Sequence, residues 1–203
     1  LVGNNFTLTE IQDSASAAWI VPDPITGIKI TAGNTTANPV KVTVKNSDLT
    51  IRKVSEDGKV EGITFEITGG DLTGKLTVTT GANGEIHVGS QLHTGKTYTV
   101  HEVCPVAYVQ PADQQITVHN DQVNELTFEN VLKKWSAHVV KSDVETGYAQ
   151  GDGTLAGAVY GVYQDGNLVD SYTTDENGAF DTKTYICGEG WYIQEISPSA
   201  GYK

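Results

Sequence analysis

The sequence predicts an all-β protein built from tandem β-sandwich modules, and three observations favour this fold class. Short runs rich in Thr, Val, Ile and Tyr alternate apolar and polar side chains, as strands with one buried face do. The chain contains 22 Gly residues, and Gly, Asn and Asp separate these runs as turn residues. No segment shows the sustained apolar repeat of an amphipathic helix. We therefore expect a β-sandwich architecture.

The strand-like runs recur in the same order along the chain, which indicates a repeat. Three of them carry a Glu on an apolar face, at residues 6–11, 98–103 and 191–196. Two others end an apolar face with Asn, at 40–46 and 126–130, and two end it with Lys, at 49–53 and 135–141. In chain order the polar residues are Glu10, Asn46, Lys53, Glu102, Asn130, Lys141 and Glu195. This order is a Lys-Glu-Asn repeat that is cut at both ends.

The repeat divides the chain into three modules. We expect residues 1–47 to be the C-terminal part of one module and residues 48–133 to be a complete module. Residues 134–203 would be the N-terminal part of a third. The joins at 46–48 and 131–134 contain no flexible Pro/Ser-rich linker, which favours a semi-rigid rod. Because the chain also lacks an initiator Met, we expect a piece of a longer protein.

Turn residues predict tight antiparallel hairpins inside the modules. Asp-Gly and Asn-Gly pairs favour the positive backbone angles that such hairpins require. Four pairs occur at Asp57-Gly58, Asn83-Gly84, Asp165-Gly166 and Asn177-Gly178.

Three polar side chains of the complete module occupy positions that the alternation assigns to the core: Lys53, Glu102 and Asn130. A buried polar or charged group is costly unless it is paired. Since the three residues lie near the start, middle and end of the module, we expect their side chains to meet. From the residues alone, a buried Lys–Glu ion pair with a neighbouring Asn is one interpretation, and a reactive group is another.

Composition argues against several other kinds of site. The net charge of −12 repels phosphate backbones, so no nucleic acid is expected. No apolar stretch is long enough for a membrane span, and no membrane contact is expected. The five scattered His residues and the Gly-rich loop at 147–153 suit neither zinc nor calcium, and we expect no metal or cofactor. Cys104 and Cys187 are too few for a disulfide framework, and we expect two buried apolar thiols rather than a reactive thioester.

The third segment resembles a known family. Its motifs are Lys-Ser-Asp-Val-Glu-Thr-Gly at 141–147, Leu-Ala-Gly-Ala-Val-Tyr at 155–160, Thr-Thr-Asp-Glu-Asn-Gly at 173–178, Trp-Tyr-Ile-Gln-Glu at 191–195 and Pro-Ser-Ala-Gly-Tyr at 198–202. They are similar to the B-type repeat of collagen adhesins and to related pilin modules of Gram-positive surface proteins. The complete module is similar but looser, and the first segment matches only in its Glu and Asn strands. The resemblance implies an Ig-like sandwich of the prealbumin-like, reverse-Ig type.

The resemblance also implies an intramolecular isopeptide bond in the complete module. Lys53 would be the nucleophile, Asn130 the acyl donor and Glu102 the catalytic proton shuttle. Burial suits this chemistry, because an apolar core disfavours the charged form of an amine. The alternative is still the buried ion pair. By the same mapping, the residues Glu10, Asn46, Lys141 and Glu195 belong to partial triads.

The function implied by the resemblance is a structural stalk segment of an adhesin or pilus-like protein on the bacterial cell wall. Such a segment would turn over no substrate and would react once, on itself. Its partners would be neighbouring modules, and other parts of the protein would bind host matrix or glycans. The alternative is a module that binds a host protein or carbohydrate. The aromatic candidates for that role, Trp19, Tyr148 and Tyr172, are dispersed along the sequence.

Overall fold

A computed structural model describes residues 3–14, 16–33 and 39–203 of the chain, and these residues fall into two units. Unit 1 comprises residues up to 105 together with 110–130, and unit 2 comprises 106–109 and 131–203. Every regular element assigned in this part of the chain is a β-strand, so the all-β prediction is confirmed. No helix in the described ranges could span a membrane.

Unit 1 contains thirteen of the strands in the described ranges. The first five are β1 (Gly3–Leu8), β2 (Trp19–Ile20), β3 (Ile25–Ile30), β4 (Thr43–Val44) and β5 (Asn46–Ser47). The next four are β6 (Thr50–Ser55), β7 (Thr64–Gly69), β8 (Leu76–Thr79) and β9 (Glu85–His87). The last four are β10 (Leu92–His93), β11 (Thr97–Val103), β12 (Gln114–Thr117) and β13 (Glu125–Asn130).

Two sheets of unit 1 form a sandwich from strands within residues 48–133, the predicted complete module. One has the strand order β12-β11-β7-β8 and is antiparallel throughout. The other has the order β13-β6-β9, in which β6 pairs antiparallel with β9 but parallel with β13. The inward residues of both sheets belong to one apolar core, which includes Leu49, Ile51, Phe65, Ile67, Val100 and Phe128. This core surrounds the three polar positions that the sequence singles out.

The first segment contributes short antiparallel pairs to unit 1. Strand β1 pairs with β3 through two irregularities, and β2 pairs with β4. Strand β5 pairs with β10 of the complete module, with Asn46 opposite His93 and Ser47 opposite Leu92. Residues 46 and 47 are therefore hydrogen-bonded to the module that follows them.

Unit 2 contains seven strands: β14 (Lys134–Trp135), β15 (His138–Val140), β16 (Val159–Gln164), β17 (Asn167–Thr173), β18 (Ala179–Asp181), β19 (Tyr185–Ile186) and β20 (Trp191–Ser197). They form the antiparallel sheet β17-β16-β20 and the antiparallel pairs β15-β18 and β14-β19. The pairing repeats that of unit 1. Tyr160 lies opposite Glu195 in unit 2, where unit 1 has Phe65 opposite Glu102.

The predicted positive backbone angle occurs at all four Gly residues, and the predicted hairpin occurs at one of the four pairs. Asp165 and Gly166 have φ values of 49° and 82° and form a two-residue hairpin between β16 and β17. The Gly residues of the other three pairs also have positive φ, but their turns connect strands of different sheets. The expected hairpins at those places are wrong, because a positive φ sets the local turn and not the sheet that the next strand joins.

Candidate cross-link site

The Lys53 amine and the Glu102 carboxylate meet in the core of the complete module. Lys53 lies on β6 and Glu102 on β11 of the facing sheet. The distance from Lys53 Nζ to Glu102 Oε2 is 3.2 Å, and both side chains are 0% exposed. The contact is an ion pair by distance, and neither Glu102 oxygen accepts a well-aligned hydrogen bond from the described residues. The structure therefore brings two of the three predicted residues together.

Asn130 ends strand β13 with its side chain fully buried. Neither its amide nitrogen nor its amide oxygen has a hydrogen-bond partner in the part of the chain that the structure describes. Leaving such a group unsatisfied in a core costs about 1–3 kcal/mol. Buried polar groups are rarely left unpaired, so this amide requires an explanation.

The register between β6 and β13 brings Lys53 and Asn130 to neighbouring positions. Lys53 is the register partner of Phe128, and its Nζ donates a hydrogen bond of 3.0 Å to the Phe128 carbonyl. Asn130 follows two residues later on the same strand, and its side chain shares the buried face of Phe128. The inward positions that the alternation predicted for Lys53, Glu102 and Asn130 are all confirmed.

The surroundings of Lys53 shift the pKa of its amine. Burial lowers the pKa of Lys53 below its usual value, and the Glu102 carboxylate offsets part of this effect. A lower pKa increases the fraction of free amine, which is the nucleophilic form. A buried amine, a carboxylate and an unsatisfied carboxamide together can form an amide bond.

Unit 2 contains the corresponding Lys–Glu pair, more open to solvent. The distance from Lys141 Nζ to Glu195 Oε1 is 2.9 Å, and the side chains are 11% and 31% exposed. Here the hydrogen bond to Glu195 raises the pKa of Lys141. The shift is opposite to that of Lys53, because a more accessible amine loses less solvation and keeps the stabilisation of its partner. The two lysines nevertheless have equivalent backbone contacts: Lys53 N–H donates to the Gly84 carbonyl and Lys141 N–H to the Gly178 carbonyl, each at 2.8 Å.

The two predicted residues of the first segment do not have the burial of the central triad. Glu10 is half-buried just after β1. Asn46 is exposed, so the inward position expected for it is wrong. Strand β5 of unit 1 pairs with β10 in the same way that β14 of unit 2 pairs with β19. By this correspondence, Asn46 is equivalent to Lys134. A cross-link at Glu10 and Asn46 stays a prediction.

Other expectations have mixed outcomes. Cys104 is half-buried, whereas Cys187 is exposed, so the expectation of two buried thiols is wrong. Cys187 directly follows the two-residue strand β19. Tyr148 is 79% exposed, while the Tyr172 hydroxyl lies 2.8 Å from that of Tyr185. The structure describes no cluster of three metal-ligating side chains within residues 3–14, 16–33 and 39–203.

A comparison with protein families gives one match. The SpaA family, described as a prealbumin-like fold domain, matches residues 47–132 and 140–203. The chain belongs to this SpaA prealbumin-like family. The match confirms the resemblance to B-type repeats and pilin modules and the prealbumin-like type of sandwich. A comparison with curated proteins gives no match.

Several solved structures are similar to this SpaA-family chain, and the first of them supports its fold. The Bacillus anthracis TIE protein is 24% identical with a TM-score of 0.62, and the match covers 100% of this chain and 39% of that protein. A Streptococcal ancillary pilin is 20% identical with a TM-score of 0.38, covering 96% of this chain and 66% of the pilin. The shaft pilin SpaA of Lactobacillus rhamnosus GG is 17% identical with a TM-score of 0.32, covering 79% and 90%.

Proposed function

We propose that the chain is a structural stalk segment of a Gram-positive surface adhesin or pilus-like protein, and that an isopeptide bond between Lys53 and Asn130 closes its complete module. The observation that supports the bond is the buried Lys53–Glu102 pair beside the unsatisfied Asn130 amide. A buried charge and an unpaired buried amide both destabilise the fold. The bond would remove both, because it converts the Lys53 amine and the Asn130 carboxamide into one amide. The division into three modules is part of this proposal.

The reaction is a transamidation that each chain performs once. Proton transfer from the Lys53 ammonium to Glu102 leaves a neutral amine and a carboxylic acid. Lys53 Nζ then attacks the Asn130 side-chain carbonyl carbon while the Glu102 acid donates a hydrogen bond to the developing oxyanion. Glu102 then transfers a proton from Lys53 Nζ to the departing Asn130 Nδ2. The bond from Asn130 Cγ to Nδ2 breaks and ammonia leaves. Packing in the core supplies the proximity that makes an unactivated amide reactive.

The stalk role follows from the strands that the bond would connect. Lys53 is on β6, near the start of the complete module, and Asn130 is the last residue of β13. Tension that enters through β6 and leaves after β13 would pass through the bond. The residues between positions 53 and 130 would then carry no tension.

The rest of the proposal concerns location and partners. A segment of this type would lie outside the cell, on the cell wall, with neighbouring modules of the same chain as its direct partners. Host matrix proteins or glycans would bind elsewhere on the full-length protein. The chain itself would catalyse no substrate turnover.

Intact mass spectrometry of the purified chain tests the bond directly. The wild-type mass should be lower than the sequence mass by one ammonia. Lys53→Ala and Asn130→Ala should each have the full mass expected from their sequences. Lys141→Ala serves as the matched control, because its Glu195 pair is also an ion pair but should not affect the loss of ammonia. A wild-type chain of unmodified mass would leave only the buried ion pair.

A further inference from the structure

The connection between β11 and β12 pairs with the residues that directly follow Asn130. We call residues 105–111 the strap. Its contacts within unit 2 are a Tyr108–Leu132 bridge and two backbone hydrogen bonds of 2.9 Å, Val109 N–H to the Val131 carbonyl and Lys133 N–H to the Ala107 carbonyl. Tyr108 is only 6% exposed, so the middle of the strap is buried. A loop paired this way holds the segment next to the candidate acyl donor.

The same pairing occurs a second time in the chain. In unit 1, Trp19 is the partner of Val44, and Lys45 N–H donates to the Ala18 carbonyl at 2.8 Å. The two loops also share a sequence pattern, Ala-Trp-Ile-Val-Pro at 18–22 and Ala-Tyr-Val-Gln-Pro at 107–111. Each loop follows a Glu of the repeat in the sequence, Glu10 in the first segment and Glu102 in the complete module. Recurrence at two places indicates that the strap is part of the repeat and not an incidental surface loop.

One side chain connects the strap of the complete module to Glu102. The Gln110 amide donates a hydrogen bond of 2.9 Å to the backbone carbonyl of Glu102 and a longer one of 3.3 Å to the Pro111 carbonyl. The equivalent position in the first segment is Val21, which has no side-chain donor. Of the two loops, the one with this hydrogen bond lies in the module that contains all three candidate residues.

We propose that the strap positions the reacting groups of the cross-link, with Gln110 as a positioning residue. Gln110 fixes the backbone that carries Glu102, and the backbone pairing fixes the residues after Asn130. A further hydrogen bond of 2.9 Å, from Glu56 N–H to the Asn130 carbonyl, holds Asn130 from the other side. Rates of this kind of reaction depend steeply on position, since a misplacement of about 1 Å can cost about a hundredfold. The inference rests on the proposed function, because it assumes that the bond forms.

The rate of ammonia loss tests the role of Gln110. The full chain is made by cell-free synthesis, translation is stopped, and intact masses are recorded over time. Gln110→Met keeps the length of the side chain but removes the donor. Its rate should fall by about tenfold relative to wild type. The matched control is Gln114→Met, which removes a similar bond of 2.8 Å from Gln114 Nε2 to the Thr127 carbonyl of β13. That variant should react within about twofold of wild type.

A second measurement separates positioning from stability. Both substitutions are combined with Lys53→Ala, which cannot cross-link, and their free energies of unfolding are compared. Similar losses of stability together with a slow rate for Gln110→Met alone support positioning. Equal rates in the two variants would overturn the role of the strap while leaving the bond intact. The role of the strap would also be overturned if Gln110→Met reacted slowly but lost correspondingly more stability than Gln114→Met. A wild-type chain that never loses ammonia would overturn the proposed function and the strap's role with it.

Discussion

Lys53 and Phe128 are register partners in adjacent parallel strands, and the Lys53 amine donates to the Phe128 carbonyl across 3.0 Å. The hydrogen bond holds the amine beside β13, at a residue two positions before the buried Asn130. Parallel pairing matters here because it brings strands from opposite ends of the complete module side by side. An amide bond across this pair would join two neighbouring strands of one sheet.

The first prediction concerns Glu102, which contacts the Lys53 amine at 3.2 Å. Glu102→Gln keeps the size of the side chain but cannot transfer a proton, so ammonia loss should slow by about a hundredfold or more. Glu102→Ala should fold and also fail to cross-link. Circular dichroism establishes the fold and a time course of intact mass gives the rate. A Glu102→Gln variant that reacts at the wild-type rate would remove Glu102 from the mechanism.

The second prediction is a pH dependence that exists only before the bond forms. Burial lowers the pKa of Lys53 in the folded state below the ordinary value of 10.5, so the unfolded chain binds more protons between the two values. Stability of the unreacted protein should therefore rise with pH across that window. Asn130→Ala, which cannot react, should show this rise in denaturant unfolding. The double variant with Lys53→Met should lack it, as should the wild type, whose amine the proposed bond would convert to an amide.

The opposite pH dependence of stability would contradict this prediction. If the stability of Asn130→Ala fell as the pH rose above 10.5, the ion pair with Glu102 would outweigh burial. Lys53 would then resemble Lys141, whose pKa the hydrogen bond to Glu195 raises.

The sequence predicted the central site well, because period-two alternation needs only local information. Lys53, Glu102 and Asn130 each continue an apolar face of a regular strand, and all three are buried. Alternation failed where the strands are only two residues long. Asn46 lies on such a strand and is exposed, and its partner is set by the distant strand β10. Short strands contain too few residues for a face to be assigned.

Features that depend on long-range pairing could not be predicted from the residues. The parallel pairing of β6 with β13 joins segments more than seventy residues apart, and no local signal distinguishes it from antiparallel pairing. The strap is a partial exception. Its Ala-aromatic-aliphatic-x-Pro pattern occurs twice in the sequence, although the pattern does not indicate what it pairs with.

The third prediction concerns the free energy that the bond contributes. Closing a loop between residues 53 and 130 should stabilise the fold by about 4–5 kcal/mol on the chain-entropy estimate used for disulfides. Denaturant unfolding of Asn130→Ala should show a loss of at least this size. Lys141→Ala, which removes a more accessible ion pair without a covalent bond, should change stability by about 1 kcal/mol or less. Similar losses in the two variants would argue that no covalent bond contributes.

The last prediction tests the stalk role by mechanical extension. When the chain is pulled from its two ends, the cross-linked complete module should extend only by the residues outside positions 53 and 130. The reason is that tension passes from β6 through the bond to the end of β13, where the two strands are adjacent. Lys53→Ala should unfold at ordinary force and release the full length of the module. The flanking segments should extend at similar forces in both proteins, which provides an internal control. Equal extension of the complete module in wild type and Lys53→Ala would remove the mechanical role and leave a ligand-binding module as the leading function.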